Sequence, residues 1–322
     1  MNVGLFSCAK NEGPFILEWV AYHLLIGFDP ILIYSNDSTD GTTELLDVLD
    51  KNGVISHVLQ DLKPGDVPQH EAAEKAYLHP SLIYADWLMW LDSDEFLYCS
   101  GPNNQVTDLI NRRHGKAEGI AVNWLIFGDG HHATWEPGLI TQRFLRRAGS
   151  DHRLHQRYKT LFQTSEKIRG FGIHRPHLYK GFQQDGGQFV NASGHPMHDD
   201  IYRSGVRRRH AFGTAPKNLI SHDWAAVVHY PVKTRDSFEL KRLRGQGTKP
   251  IDAPDRYSRF REQYWKKYNQ NSIVDDRMLA MGDKLQAKVD ALLAIPNVSH
   301  VHSHCLKVYA QRILERSQHP TP

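Results

Sequence analysis

The chain of 322 residues is 40% hydrophobic and 23% charged, with a formal net charge of +3. This suits a soluble globular protein, either one large α/β domain with an appendage or two modest domains, and it excludes a global electrostatic field for nucleic acid. Cys8, Cys99 and Cys305 are too few and too scattered for a disulfide framework or a cysteine metal site, which points to a reducing, cytoplasmic setting. At the amino terminus, residues 1–8 have no basic leader and run straight into Lys10 and Glu12, so they read as a first strand and not as a signal peptide. No apolar run approaches the ~20 residues that span a bilayer, so any membrane link is expected to be peripheral, at the inner membrane face.

The first hundred residues alternate between short apolar runs and helical patterns. Strands are expected at 3–8, 30–34, 54–59 and 86–91, with helices at 14–25, 42–49 and 71–84 between them. Such alternation implies a parallel sheet with right-handed crossovers, whose ligand sits beyond the carboxyl ends of the strands. Three polar clusters fall at those ends: Lys10-Asn11-Glu12, Ser35-Asn36-Asp37-Ser38 and Asp92-Ser93-Asp94. Further on, 119–127 and 158–163 read as strands, 138–146 as a strand or short helix, and 170–216 as long loops. A short strand returns at 227–230, and the chain looks helical from Ser237 onward. Basic residues gather at 203–210, 241–244 and 256–267, which suits a local anionic partner such as a phosphate or a membrane surface. A helix over 256–268 would place Tyr257, Phe260, Tyr264 and Tyr268 on one face, for packing or for peripheral membrane contact.

The aromatic run Trp87-Leu88-Met89-Trp90-Leu91 ends in Asp92-Ser93-Asp94-Glu95. A strand interior has no use for such charge, whereas carboxylates at a strand end facing a crevice can hold a hard divalent cation. Ser35-Asn36-Asp37-Ser38-Thr39-Asp40-Gly41-Thr42, taken alone, could be a turn with a helix cap. The histidines of His174-Arg175-Pro176-His177 and of 195–200 lack the context of a zinc site and read as loop residues.

Together with Ala9-Lys10-Asn11-Glu12, these stretches resemble the nucleotide-sugar-binding half of glycosyltransferases of the GT-A fold, family 2 type. The likeness is to a bacterial branch with an Asp-x-Asp-Glu-Phe strand end, the DXD motif. Asn123-Trp124, Gln142-Arg143-Phe144, Lys159-Thr160, His229-Tyr230 and Lys233 fit the same group in the same order, over residues 1–247. The resemblance implies an α/β, Rossmann-like, mostly parallel central sheet flanked by helices, with a C-terminal helical extension. Residues 1–236 would form the GT-A domain (1–100 for the nucleotide sugar, 101–236 for the acceptor) and 237–322 the extension. Asp94 should bind a divalent cation, with Asp92 ligating it or the ribose and His229 closing the site. Imidazole favours Mn²⁺ over Mg²⁺. Lys159 and Lys233 would attend the diphosphate, and Asn11, Glu12, Asn36 and Asp37 the base and ribose. UDP is the nucleotide implied, although Ser35-Asn36 stands where many relatives carry two Asp. Inverting transfer needs a general base; Asp129 and Glu136 are the candidates, with His132 weaker. The partners implied are a nucleotide-sugar donor and a glycan or lipid-linked acceptor of cell-surface polysaccharide synthesis. A nucleotidyltransferase, a nucleotide-sugar hydrolase or a non-catalytic nucleotide-binding module could use the same strand ends.

Overall fold

The computed structural model of the chain describes residues 1–113, 117–202 and 213–318. Its first half follows the expected alternation: β1 (Val3–Ala9), α1 (Gly13–Leu25), β2 (Ile31–Ser35), α2 (Thr42–Lys51), β3 (Ser56–Leu59), α3 (Pro68–Ala76) and β4 (Trp87–Trp90). Then come β5 (Glu95–Cys99), α4 (Val106–Asn111), β6 (Gly119–Ile126), α5 (Ile140–Arg143), β7 (Arg146–Arg147) and β8 (Tyr158–Gln163). Short strands β9 (Ile168–Gly170), β10 (His177–Leu178) and β11 (Phe189–Asn191) precede β12 (Ala225–His229). The remainder is α6 (Arg235–Arg244), α7 (Glu262–Tyr268), β13 (Ile273–Val274), α8 (Gly282–Leu293) and α9 (Val298–Gln318).

One large sheet runs β3-β2-β1-β4-β8-β6-β12-β5, with β11 added beside β6. β1, β2, β3 and β4 are parallel; β8 lies antiparallel to both β4 and β6, and β5 antiparallel to β12. The sheet is therefore mixed, with only β8 and β5 against the common direction. That common direction brings the carboxyl ends of β1, β2, β4 and β12 to one edge.

Helix α1 is buried from Gly13 to His23 because it is apolar on nearly every side, and it lies between the sheet and α8 and α9. The main core continues through Tyr264, Leu285 and Tyr309, so the C-terminal helices share it with the sheet. Two expected helices differ, and one strand was not expected. The helix expected over 71–84 stops at Ala76, ahead of His79-Pro80, where proline removes a donor and disfavours helix in the residue before it. The helix expected over 256–268 is formed only as α7; Tyr257 is exposed while Phe260, Tyr264 and Tyr268 are buried, so that face packs inward. β5 was not anticipated, because its first residue is the charged Glu95. The basic stretch 203–210 lies outside the described residues. Among the described residues no helix is long and apolar enough to cross a membrane.

Candidate functional site

The register of β5 builds the centre of the site. β5 pairs antiparallel with β12 so that Glu95 stands opposite His229, and the Tyr230 amide donates to the Asp94 carbonyl at 2.9 Å. Asp94, one residue before the strand, is thereby held beside the end of β12. Its Oδ1 lies 3.4 Å from His229 Nε2, and its Oδ2 accepts from Lys241 Nζ at 2.8 Å. Burial pushes the Asp94 carboxyl up, but the charges of Lys241, His229 and Lys233 outweigh it and hold the group well below the usual carboxylate range. Burial lowers the His229 imidazole, with Asp94 acting the other way, and the ring leans on Trp124 at 4.5 Å between centroids.

Asp92 points to the other side of the turn. Its Oδ1 is 3.4 Å from Lys159 Nζ, which also lies 3.2 Å from Glu95 Oε2. Glu95 in turn accepts from the Asp92 amide at 2.8 Å, and Trp19 Nε1–H donates to the carbonyls of Asp92 and Glu95. Lys159, expected at the diphosphate, is thus enclosed beneath the carboxylates with its side chain 1% exposed, and it acts on the turn from below.

Asp92 and Asp94 line a cavity of about 480 Å³ together with Lys10, Asn36, Trp124, Arg157, His229, Lys241 and Arg244. A strap from Gly245 to Thr248 and the aromatic side chains Phe260, Tyr264 and Tyr268 wall it. That volume falls within the range of small-ligand sites. Asn36 Nδ2 donates to Asp37 Oδ2 at 2.9 Å, and Lys10 lies 3.4 Å from the same oxygen, so Asp37 stands just behind the lining. Asn11, Glu12 and Lys233 face a second cavity of about 530 Å³, between α6 and α9. Glu12 pairs with Arg244, and Lys233 Nζ sits 4.4 Å from the centre of the Phe15 ring. Asn11, Asp37 and Lys233 all adopt positive φ (52°, 46° and 54°), a concentration of unusual backbone at the strand ends.

Asp129, Glu136 and His132 stand apart. Both Asp129 carboxylate oxygens accept from side-chain amides, of Asn269 and Asn271, each at 2.9 Å. Glu136 is exposed and lies 3.4 Å from Arg143, while His132 Nε2 meets the Arg143 carbonyl at 3.0 Å. None of the three lines either cavity. Conversely, Lys241, Arg244, Arg157 and Arg259 belong to the site without having been singled out individually. The signal for the first two was present in the i,i+3 spacing of Lys241 and Arg244 on one helix.

Among the described residues no group of three His, Cys, Asp or Glu is clustered as a metal cage. The chemistry of Asp94 and His229 nonetheless fits a cation carried in with a diphosphate: two neighbouring donors of one octahedral ion, each ~2.1 Å away, stand about 3 Å apart. His229 Nδ1 is buried without a partner among the described residues, so Nε2 is the nitrogen that faces Asp94.

The family model of glycosyltransferase family 92 matches residues 8–182, over half of the chain and including every strand-end cluster except His229. The chain belongs to glycosyltransferase family 92. The resemblance to family 2 therefore holds at the level of glycosyltransferases, and family 92 is the family found. Relatives include a family 92 protein of Oryza sativa subsp. japonica, 30% identical over 105 residues (31% of this chain, 17% of that protein). Another, from Arabidopsis thaliana, is 31% identical over 90 residues (27% of this chain, 15% of that protein). The chain thus spans about a sixth of the length of the curated relatives it matches. Among solved structures, S. aureus TarS 1–349 aligns with 99% of this chain and 92% of its own at 11% identity and a TM-score of 0.32. Glucosyl-3-phosphoglycerate synthase from Mycobacterium tuberculosis, in complex with Mg²⁺ and UDP, aligns with 38% of this chain and 43% of its own at 15% identity and a TM-score of 0.26. Neither structural likeness bears weight on function.

Proposed function

We propose that this member of family 92 is a metal-dependent glycosyltransferase. It binds a nucleotide sugar, a UDP-sugar in the first instance, at the carboxyl ends of β1, β2, β4 and β12. It passes the sugar, with inversion, to a hydroxyl of a carbohydrate or lipid-linked acceptor in cell-surface polysaccharide synthesis. The observation that supports this most is the 3.4 Å approach of Asp94 to His229 inside a cavity whose lining also carries Lys241 and Arg244.

A divalent cation held by Asp94 and His229, Mn²⁺ ahead of Mg²⁺ because one donor is an imidazole, would neutralise charge on the departing nucleoside diphosphate. The chain's own residues do the rest. Lys241 and Arg244, with side chains 12% and 20% exposed, bring fixed positive charge to the diphosphate in a partly buried setting, where it counts for more than in water. Asn36 offers both ends of an amide to a base edge, and Asp92 a carboxylate to the ribose or the cation. Glu12 anchors Arg244 from behind, and Lys159 with Glu95 keeps the Asp92-Ser93-Asp94 turn in place.

The distance of Asp129 and Glu136 from the cavity favours a second reading, a non-catalytic nucleotide-binding module. Calorimetry with UDP, with and without MnCl₂, tests the donor site. Asp94→Asn should lower manganese-dependent UDP affinity tenfold or more, and undiminished affinity would remove Asp94 from the site. UDP release from UDP-sugars then separates the classes: release only with an acceptor marks a transferase, release with free sugar a hydrolase, and binding with no release the module.

A further inference from the structure

The second cavity, of about 530 Å³, is enclosed by the start of α1, by α6 and α9 and by the Thr39-Asp40 turn. Five Lys and Arg side chains line it against three carboxylates, Glu12, Asp40 and Glu315. The carboxylates are already engaged. Asp40 accepts from the Gly13 and Thr42 amides and the Thr42 hydroxyl, Glu12 pairs with Arg244, and Glu315 accepts from Gln311 at 2.8 Å. The cations are answered less well. The Lys233 side chain is 7% exposed, yet its Nζ makes no hydrogen bond among the described residues. Its contacts are Glu12 Oε2 at 4.0 Å, on the carboxylate that Arg244 already holds, and the face of Phe15 at 4.4 Å. Arg312 donates from Nη2 to the carbonyl and hydroxyl of Thr39 and forms no ion pair among the described residues. Arg316 reaches Glu239 at 3.7 Å, an acid that Arg235 and Arg242 hold more closely, at 3.0 and 2.7 Å.

A buried ammonium without a hydrogen bond is costly, and the free capacity around it is of one kind. Lys233 Nζ, Asn11 Nδ2 and the remaining N–H groups of Arg312 are all donors without a partner among the described residues, whereas Asn11 Oδ1 already accepts from the Thr39 amide at 2.8 Å. Asn11 and Lys233 also adopt positive φ, of 52° and 54°, and such backbone at a cavity wall points to a ligand-facing role. Donors from three separate side chains suit a phosphate, with three free oxygens, better than a carboxylate. Much of the remaining lining is apolar: Phe15, Val232, Leu240, Leu243 and Tyr309, whose hydroxyl is held by Ser237. Lys241 and Arg244 stand between the two cavities, but their charged ends are turned to Asp94 and to Glu12. The donors of the second cavity are therefore distinct from those assigned to the diphosphate.

We infer that the second cavity binds a phosphate monoester of an apolar alcohol, with Lys233, Asn11 and Arg312 on the phosphate and the apolar wall on the organic group. The site goes beyond the donor reading and does not depend on it. Calorimetry on the full chain, with UDP and MnCl₂ saturating, titrates citronellyl phosphate, citronellol and glucose 1-phosphate. Citronellyl phosphate should bind about tenfold more tightly, or better, than citronellol, which lacks the anion, and than glucose 1-phosphate, which lacks the apolar body. Lys233→Met, which leaves Glu12 paired with Arg244, and Arg312→Gln should each weaken it by about tenfold, while Arg312→Lys retains most of the affinity. Arg312→Gln should leave UDP affinity within about twofold, since Arg312 touches none of the groups assigned to the nucleotide. Equal binding of the ester and the alcohol overturns the inference, and so does unchanged affinity in both Lys233→Met and Arg312→Gln. Equal binding of the two phosphates removes the apolar specificity and overturns it as stated. Exclusion of citronellyl phosphate by UDP would make the second cavity part of the nucleotide site, which also overturns it. If UDP does not bind the parent protein, the donor reading fails by itself; the three probes are then titrated alone, and the same comparisons decide the inference.

Discussion

At the scale of single residues, charges at this site are divided between those that face the ligand and those that hold the others still. Lys159 shows the division most clearly. A lysine with a side chain 1% exposed is tolerable only because Asp92 and Glu95 lie within 3.4 Å of it. Replacing it by Met leaves Glu95 buried without its cation and removes the partner of the half-buried Asp92, so Lys159→Met should cost about 3–5 kcal/mol in urea denaturation. Glu95→Gln in that background removes the buried charge while keeping an oxygen for the Asp92 amide. The double variant should therefore be more stable than Lys159→Met alone by about 1–2 kcal/mol. Equal stability of the two would show that Glu95 is not part of the cluster. Glu18 plays the same kind of role at a distance, accepting the amides of Ile140 and Thr141 and the Thr141 hydroxyl at the start of α5.

At the scale of elements, the turn Asp40-Gly41-Thr42 is where three helices meet. Asp40 accepts from the Gly13 amide at 3.0 Å and from the Thr42 amide at 3.0 Å, joining the first turns of α1 and α2. Gly41 has φ +89°, and a Cβ there would stand 2.7 Å from Cys305 Sγ on α9. Both the backbone and the close approach of α9 thus require glycine. Gly41→Ala should destabilise the protein by about 2–4 kcal/mol, the sum of backbone strain and overpacking. Adding Cys305→Ala should recover the overpacking share and leave the strain. No recovery in thermal melts would mean that α9 does not rest on this turn. The Ser-Thr-Asp-Gly-Thr stretch therefore serves two ends: Ser38 and Thr39 hold Asn11 at the second cavity, and its last residues join the helices.

At the scale of the molecule, the C-terminal helices complete the core and border the second cavity. Tyr309 on α9 is buried against Phe15 at 5.4 Å and Trp135 at 4.9 Å. Deleting residues 298–322 should uncover α1, the most apolar helix of the chain, and abolish cooperative unfolding; Tyr309→Ala should cost about 3–5 kcal/mol while keeping one transition. A truncated chain that melts as sharply as the parent would show that 1–297 folds independently of α9.

The alternating pattern of the first hundred residues was sufficient to place β1 to β4, α1 and α2, and hence the edge where Lys10, Asn36, Asp92 and Asp94 gather. Local periodicity and strand direction determine those features, and both are written in short windows of sequence. The nearness of Asp94 to His229 depended on a register between β5 and β12, 130 residues apart in the chain, which no local pattern encodes. Burial likewise depends on what packs above a residue, so Lys159 and Lys233 looked alike in sequence and differ in place: one lies beneath the carboxylates, the other in the second cavity. Asp129 and Glu136 sit in a loop whose course is set by Asn269, Asn271 and Arg143, contacts that span up to 142 residues and exist only once the chain is folded.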